Sequence, residues 1–76
     1  MGHLKALKIF LLNDLGIDMI KWDIESDEKD DSYACEDECR GILLRSRANG
    51  EYTMYVVMQH FKGSEWVIID LSISAD

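Results

Sequence analysis

Apolar positions change their spacing along this chain, and each change marks an expected element. Leu4, Leu7, Leu11 and Leu15 recur at helical spacing, Phe10 and Leu12 widen the stripe, and Lys5 and Lys8 fall on the opposite side. This pattern predicts an N-terminal amphipathic helix. Gly16 is a natural stop, because glycine enters the left-handed region without steric cost, and Ile17 is expected to fold back toward Leu12. Ile20, Trp22 and Ile24 then alternate with Lys21, Asp23 and Glu25, which predicts a half-buried strand over residues 19–25. Ile17, Ile20 and Ile24 also fit a helical reading. Residues 26–31 are almost purely polar and read as an exposed loop. Ser32 is placed to cap a short, marginal helix over residues 33–40, closed by Gly41.

The second half is strand-rich. Runs at residues 42–47, 51–60 and 65–73 are separated by Asn49-Gly50 and Gly63-Ser64, which predicts two hairpins. A two-residue turn at Gly63-Ser64 pairs Met58 with Ile69, Val56 with Leu71 and Met54 with Ile73, and sets Lys62 beside Glu65, so one face is uniformly apolar. In the first hairpin a two-residue Asn49-Gly50 turn would put Arg45 and Arg47 on that apolar face. A three-residue loop, Ala48-Asn49-Gly50 with Gly50 as a bulge, instead sets Ile42 opposite Val56 and Leu44 opposite Met54, with Arg47 facing Glu51 outside. Desolvating a guanidinium costs more than the difference between turn types, so the longer loop is expected. The predicted fold is a single α+β domain over residues 1–76. Its N-terminal helix packs on a three- to four-stranded antiparallel sheet, a C-terminal β-meander preceded by an acidic loop or short helix.

Composition sharpens the picture in one place. Between residues 23 and 38 nine carboxylates face Lys29 alone, a net −8 against a formal total of −7. The acids are Asp23, Glu25, Asp27, Glu28, Asp30, Asp31, Glu36, Asp37 and Glu38. A sequence pI near 4.6 argues against direct nucleic-acid binding, which relies on Lys and Arg neutralising phosphates, and against docking on an anionic membrane. The hydrophobic fraction of 47% suits a packed core. The start of the chain lacks the features of a secretory signal, and no apolar run approaches the roughly 18 residues of a membrane span. A reducing, cytoplasmic setting is expected, with Cys35 and Cys39 as reduced thiols.

Candidate chemistry is sparse. A calcium loop begun at Asp23 would want glycine where Glu28 stands and a bidentate acid where Ala34 stands. Cys35 and Cys39, four apart, would share a helical face; a zinc set would have to recruit His3 and His60, at no recognised spacing. A Cys39–His60–Asp70 set has an obstacle of its own, since Glu36 and Glu38 would raise the thiol pKa rather than lower it. No cofactor or metal is expected. In the register above, Tyr55, Gln59, Phe61, Trp66 and Ile68 lie on the face opposite the core. That face is apolar enough to suggest that residues 19–25 or a partner cover it.

The reading that results is a non-enzymatic interaction protein. The acids from Asp23 to Glu38, with Tyr33 as an aromatic anchor, would occupy a basic, nucleic-acid-binding surface of another protein. Small acidic inhibitors of the phage or mobile-element kind, including anti-CRISPR proteins, resemble the chain in size and charge, a likeness of composition that covers no motif. Two rival readings stand beside it. One is a homodimeric or subunit protein joined through the Phe61/Trp66 sheet face, the acids only solubilising. The other is a minimal thiol or metal-site protein using Cys35, Cys39 and His60.

Overall fold

The first helix, α1 (His3–Leu15), ends where the sequence predicts. Gly16 takes φ 67° there. Its N–H donates to the Leu12 carbonyl at 3.2 Å, and the Ile17 N–H donates to that of Leu11 at 2.8 Å. Here and below, a computed structural model describes the chain except Met1, Glu36, Lys62, Ser64 and Asp76. Leu7 and Leu11 are fully buried, and Leu4, Phe10 and Ile17 pack against the same core. Leu12 and Leu15 are exposed, so the buried stripe is narrower than the leucine spacing suggests, and Ile17 packs against the core.

Four strands follow: β1 (Trp22–Lys29), β2 (Glu38–Ser46), β3 (Tyr52–His60) and β4 (Trp66–Ala75). They form one antiparallel sheet in chain order, a meander in which each strand pairs with its sequence neighbours. The architecture is α+β, with α1 on one face of the sheet. Ile42 and Leu44 of β2 and Met54, Val56 and Met58 of β3 are fully buried beneath Leu7 and Leu11. At 25 cal/mol per Å2, each such side chain contributes about 1.5–3 kcal/mol by leaving water.

Three expectations about the middle of the chain are corrected. Residues 19–21 form a single 3-10 turn, capped by the Asp18 side chain accepting from the Ile20 N–H, before β1 begins at Trp22. The polar stretch from Ser26 to Lys29 is strand rather than loop, paired with Leu43 to Arg40 of β2. A strand at a sheet edge gains ladder hydrogen bonds while its side chains stay in water, so polarity alone does not exclude it. Nor do the described residues between 33 and 40 form a helix: Glu38, Cys39 and Arg40 pair with His60, Gln59 and Met58. The acidic stretch is therefore divided between β1, the start of β2 and the connection over residues 30–37.

The hairpins follow the apolar pattern with two local departures. Ile42 opposes Val56 and Leu44 opposes Met54, the register of the longer loop. Gly50, however, does not adopt a positive φ, so it is not the expected bulge. Asn49 closes the turn instead, its side chain accepting from the Glu51 N–H and its carbonyl from the Tyr52 N–H. In the second hairpin Val56 faces Leu71 and Met54 faces Ile73, but Met58 faces Ile68 and His60 faces Trp66. Ile69 is the extra residue of a bulge. The one-residue shift turns Trp66 and Ile68 to the helix side, where both pack against the core, and leaves Val67 and Ile69 exposed. Burying an indole in place of smaller aliphatic groups favours this register. The expected Lys62–Glu65 pair and the Gly63-Ser64 turn involve Lys62 and Ser64, which lie outside the described residues.

Cys35 and Cys39 are joined in a disulfide, Cα atoms 5.9 Å apart, not held as separate thiols. With Cys35 in the connection and Cys39 in β2, the bridge ties a loop to a strand.

Candidate functional site

Opposite α1, the sheet has a second face on which Cys39, Gly41 and Val57 are buried. Alternation from the core residues assigns Asp23, Ser26 and Glu28 of β1, Arg45 of β2, Tyr55 of β3 and Asp70 of β4 to this side. The connection over residues 30–37 is fastened to it. The Asp30 N–H donates to the Cys39 carbonyl at 2.8 Å, and Tyr55 Oη donates to Asp30 Oδ2 at 2.8 Å. Tyr33 Oη reaches Asp70 Oδ2 on β4 at 2.9 Å, and the disulfide anchors Cys35. Gly41 lets this happen: a Cβ there would stand 2.7 Å from Tyr55 Cζ, so only glycine leaves room for the ring.

The hydrogen bonds leave an electrostatic signature. Asp30 is held below the ordinary aspartate range by the Ser32 N–H and then by the Tyr55 hydroxyl. Tyr33 and Tyr55 are pushed up, Tyr33 first by its bond to Asp70 and Tyr55 first by its bond to Asp30. In each case the ionised acid favours the neutral phenol that donates to it.

The structure sorts the acids singled out above into two groups. Asp23 pairs with Arg47 at 2.7 Å and Glu25 with Arg45 at 2.9 Å. On the helix side Asp27 accepts from His3 at 2.6 Å and from Arg40 at 2.9 Å, and Arg40 also holds Glu38 at 2.8 Å. Asp37 meets His60 at 2.6 Å. These acids serve the fold. Among the described residues Asp30 and Asp70 are held only by neutral donors, Asp31 lies 3.9 Å from Lys29 while 87% exposed, and Glu28 makes no ion pair. Their charge is left for solvent or a partner. Glu36 lies outside the described residues.

The other candidate sets are dispersed. Trp66 and Ile68 sit on the helix side while Tyr55 and Gln59 sit on the other, so the expected single apolar face of Tyr55, Gln59, Phe61, Trp66 and Ile68 is split by the Ile69 bulge. Asp30 and Tyr33, rather than residues 19–25, reach over the second face. Trp66 lies between two imidazoles, its ring centroid 5.3 Å from that of His3 and 4.8 Å from that of His60. Cys39 is in the disulfide, His60 is turned to Asp37 and Asp70 to Tyr33, so the Cys39–His60–Asp70 set is not assembled. Among the described residues no group of three or more His, Cys, Asp or Glu is arranged to hold a metal ion, and no helix is long and apolar enough to cross a membrane.

Sequence reasoning missed the side chains that answer the acids: His3, Arg40, Arg45, Arg47 and His60. One signal was available. Arg45 and Arg47 are spaced by two, as are Asp23 and Glu25, the spacing at which charges on neighbouring strands meet. Comparison of the chain with protein-family models, curated proteins and solved structures finds no match.

Proposed function

We propose that the protein is a non-enzymatic interaction module whose acidic second face occupies a basic, nucleic-acid-binding surface of another protein, in the manner of an inhibitor. One observation carries this reading. Glu28, Asp30, Asp31 and Asp70 lie on or beside a single sheet face, largely uncompensated by cations, and the connection bearing Asp30, Asp31 and Tyr33 is held to that face by a disulfide and two phenol bonds. A fixed array of carboxylates loses little conformational entropy on binding and steers a cationic partner into register. The half-exposed rings of Tyr33 and Tyr55 supply apolar area among the charges.

The test uses the acids that the fold does not need. A partner captured from cells at low salt should bind nucleic acid when alone and release it as the protein is added. Glu28→Lys with Asp31→Lys should weaken that competition by roughly tenfold or more, since the substitution both removes attraction and adds repulsion. The wild-type affinity should fall steeply with ionic strength. Competition unchanged by the double reversal, at low and high salt alike, would reduce the acids to solubilising groups.

A further inference from the structure

The disulfide that fastens the connection between β1 and β2 has two unlike ends. Cys39 is 1% exposed and is fixed in β2 opposite Gln59 of β3. Cys35 is half-buried and lies in the connection, outside any helix or strand. The side-chain bonds beside it are made in contact with solvent: Tyr55 to Asp30, Tyr33 to Asp70 and His60 to Asp37. Such bonds replace equivalent bonds to water and stabilise little. Charge works against them. Tyr33 is pushed up first by its bond to Asp70 and further by the charge of Asp30, and Tyr55 first by its bond to Asp30 and further by the charge of Glu28. Three carboxylates therefore converge on two phenols, one of them on the connection and two on the sheet, and like charges repel. Little apolar burial offsets that repulsion. Among the described residues Cys39 and Val57 are the fully buried apolar side chains on this face, and neither belongs to the core beneath α1.

We infer that the Cys35–Cys39 disulfide is a redox latch: a dithiol reductant opens it and frees the connection from the second face while the helix and sheet stay folded, and reoxidation closes it. Exposure selects the sulfur attacked. A thiolate of the reductant bonds to Cys35 Sγ, the S–S bond breaks, and Cys39 leaves as a thiolate that takes a proton from water. The second thiol of the reductant then displaces Cys35, which is protonated in turn. The protein gains two electrons and two protons, and the dithiol becomes a disulfide. Reduced Cys39 is a small neutral thiol suited to its buried place in β2.

The fold confines the change to one side. The buried residues of α1, β2 and β3 pack together on the opposite face of the sheet, so they do not depend on the connection. With the latch closed, Asp30 and Tyr33 are held against the sheet as part of a fixed acidic array. With it open, they are carried by a mobile segment that must be ordered again on binding. Control of partner binding by this change rests on the function proposed above; the latch itself does not.

Amide exchange of the intact chain tests the latch, with dithiothreitol as the dithiol and mass spectrometry to verify each redox state. The Asp30 N–H, which donates to the Cys39 carbonyl at 2.8 Å, reports on the connection. Reduction in native buffer should speed its exchange at least about tenfold while Ile42 to Leu44 keep their protection, and reoxidation should restore it. Cys35→Ser should exchange like the reduced protein and ignore dithiothreitol; the wild-type comparison covers the case in which this variant folds poorly. Three results overturn the proposal: a disulfide that dithiothreitol opens only in urea, an Asp30 amide equally protected after reduction, or loss of protection at Ile42 to Leu44. No partner enters this measurement. Failure of the acids to compete with nucleic acid in either redox state would overturn the functional reading and leave the exchange result standing.

Discussion

Asp27 shows what a carboxylate needs in order to face the core side of a strand. Burial raises its pKa, but the hydrogen bonds from His3 and Arg40, together with their charges, outweigh that effect and hold it below the ordinary range. Arg40 is raised in turn, first by its bond to Asp27 and then by Glu38, and its Nη2 also donates to the Asp27 carbonyl at 3.1 Å. Because the folded-state pKa is depressed, the contribution to stability is present above the unfolded value and is lost as pH falls through the folded one. Urea titrations should therefore show stability declining below about pH 4, the region where an unfolded aspartate begins to protonate. Asp27→Asn should cost roughly 1–3 kcal/mol at neutral pH, as expected for hydrogen bonds to a charged group, and should flatten the acid limb. An unchanged acid limb in that variant would place the loss of stability elsewhere.

At the scale of elements, the connection over residues 30–37 is held by two devices of different kind. The disulfide closes a short loop between Cys35 and Cys39, and Tyr55 lies across Gly41 to reach Asp30. Cys35→Ser should cost about 2 kcal/mol, the loop-closure value for a ring of this length. Gly41→Ala should cost roughly 1–3 kcal/mol by overpacking against a rigid ring. Hydrogen exchange should localise both effects, with faster exchange at residues 30–37 and at Cys39 while the paired amides of Ile42 to Leu44 keep their protection. Loss of protection throughout the sheet would mean that the connection is part of the main core rather than a cover on its second face.

The whole molecule is two layers thick, with a shortest extent of 16 Å, and its main core lies between α1 and the sheet. At 0.05–0.15 kcal/mol per residue a chain of this size has roughly 4–11 kcal/mol of stability in total. Leu11→Ala, at a position with no exposure, should remove about 2–5 kcal/mol, a large share of that margin. Leu12→Ala, at a position 54% exposed, should change stability by no more than about 0.5 kcal/mol. Thermal midpoints of the two variants measure the contrast directly, and equal losses would mean that α1 is rotated on the sheet.

Local patterning by itself determined the helix, its stop at Gly16, the β2–β3 register and the half of the β3–β4 register from Tyr52 to Val57. In each case the information is a period matched to a buried face, and a one-residue slip would have exposed that face. What tertiary structure decided had no such period. The polar strand Ser26–Lys29 forms because β2 offers it a ladder, and the Ile69 bulge forms because Trp66 gains more than Val67 by turning inward. Arg40 and His3 become partners of Asp27 only when strands 13 residues apart and a helix 24 residues away are brought together. Cys39, read as a helical thiol, becomes a strand residue for the same reason. Long-range pairing outweighs weak local propensity wherever the sequence is polar, and the acidic stretch is where this chain is most polar.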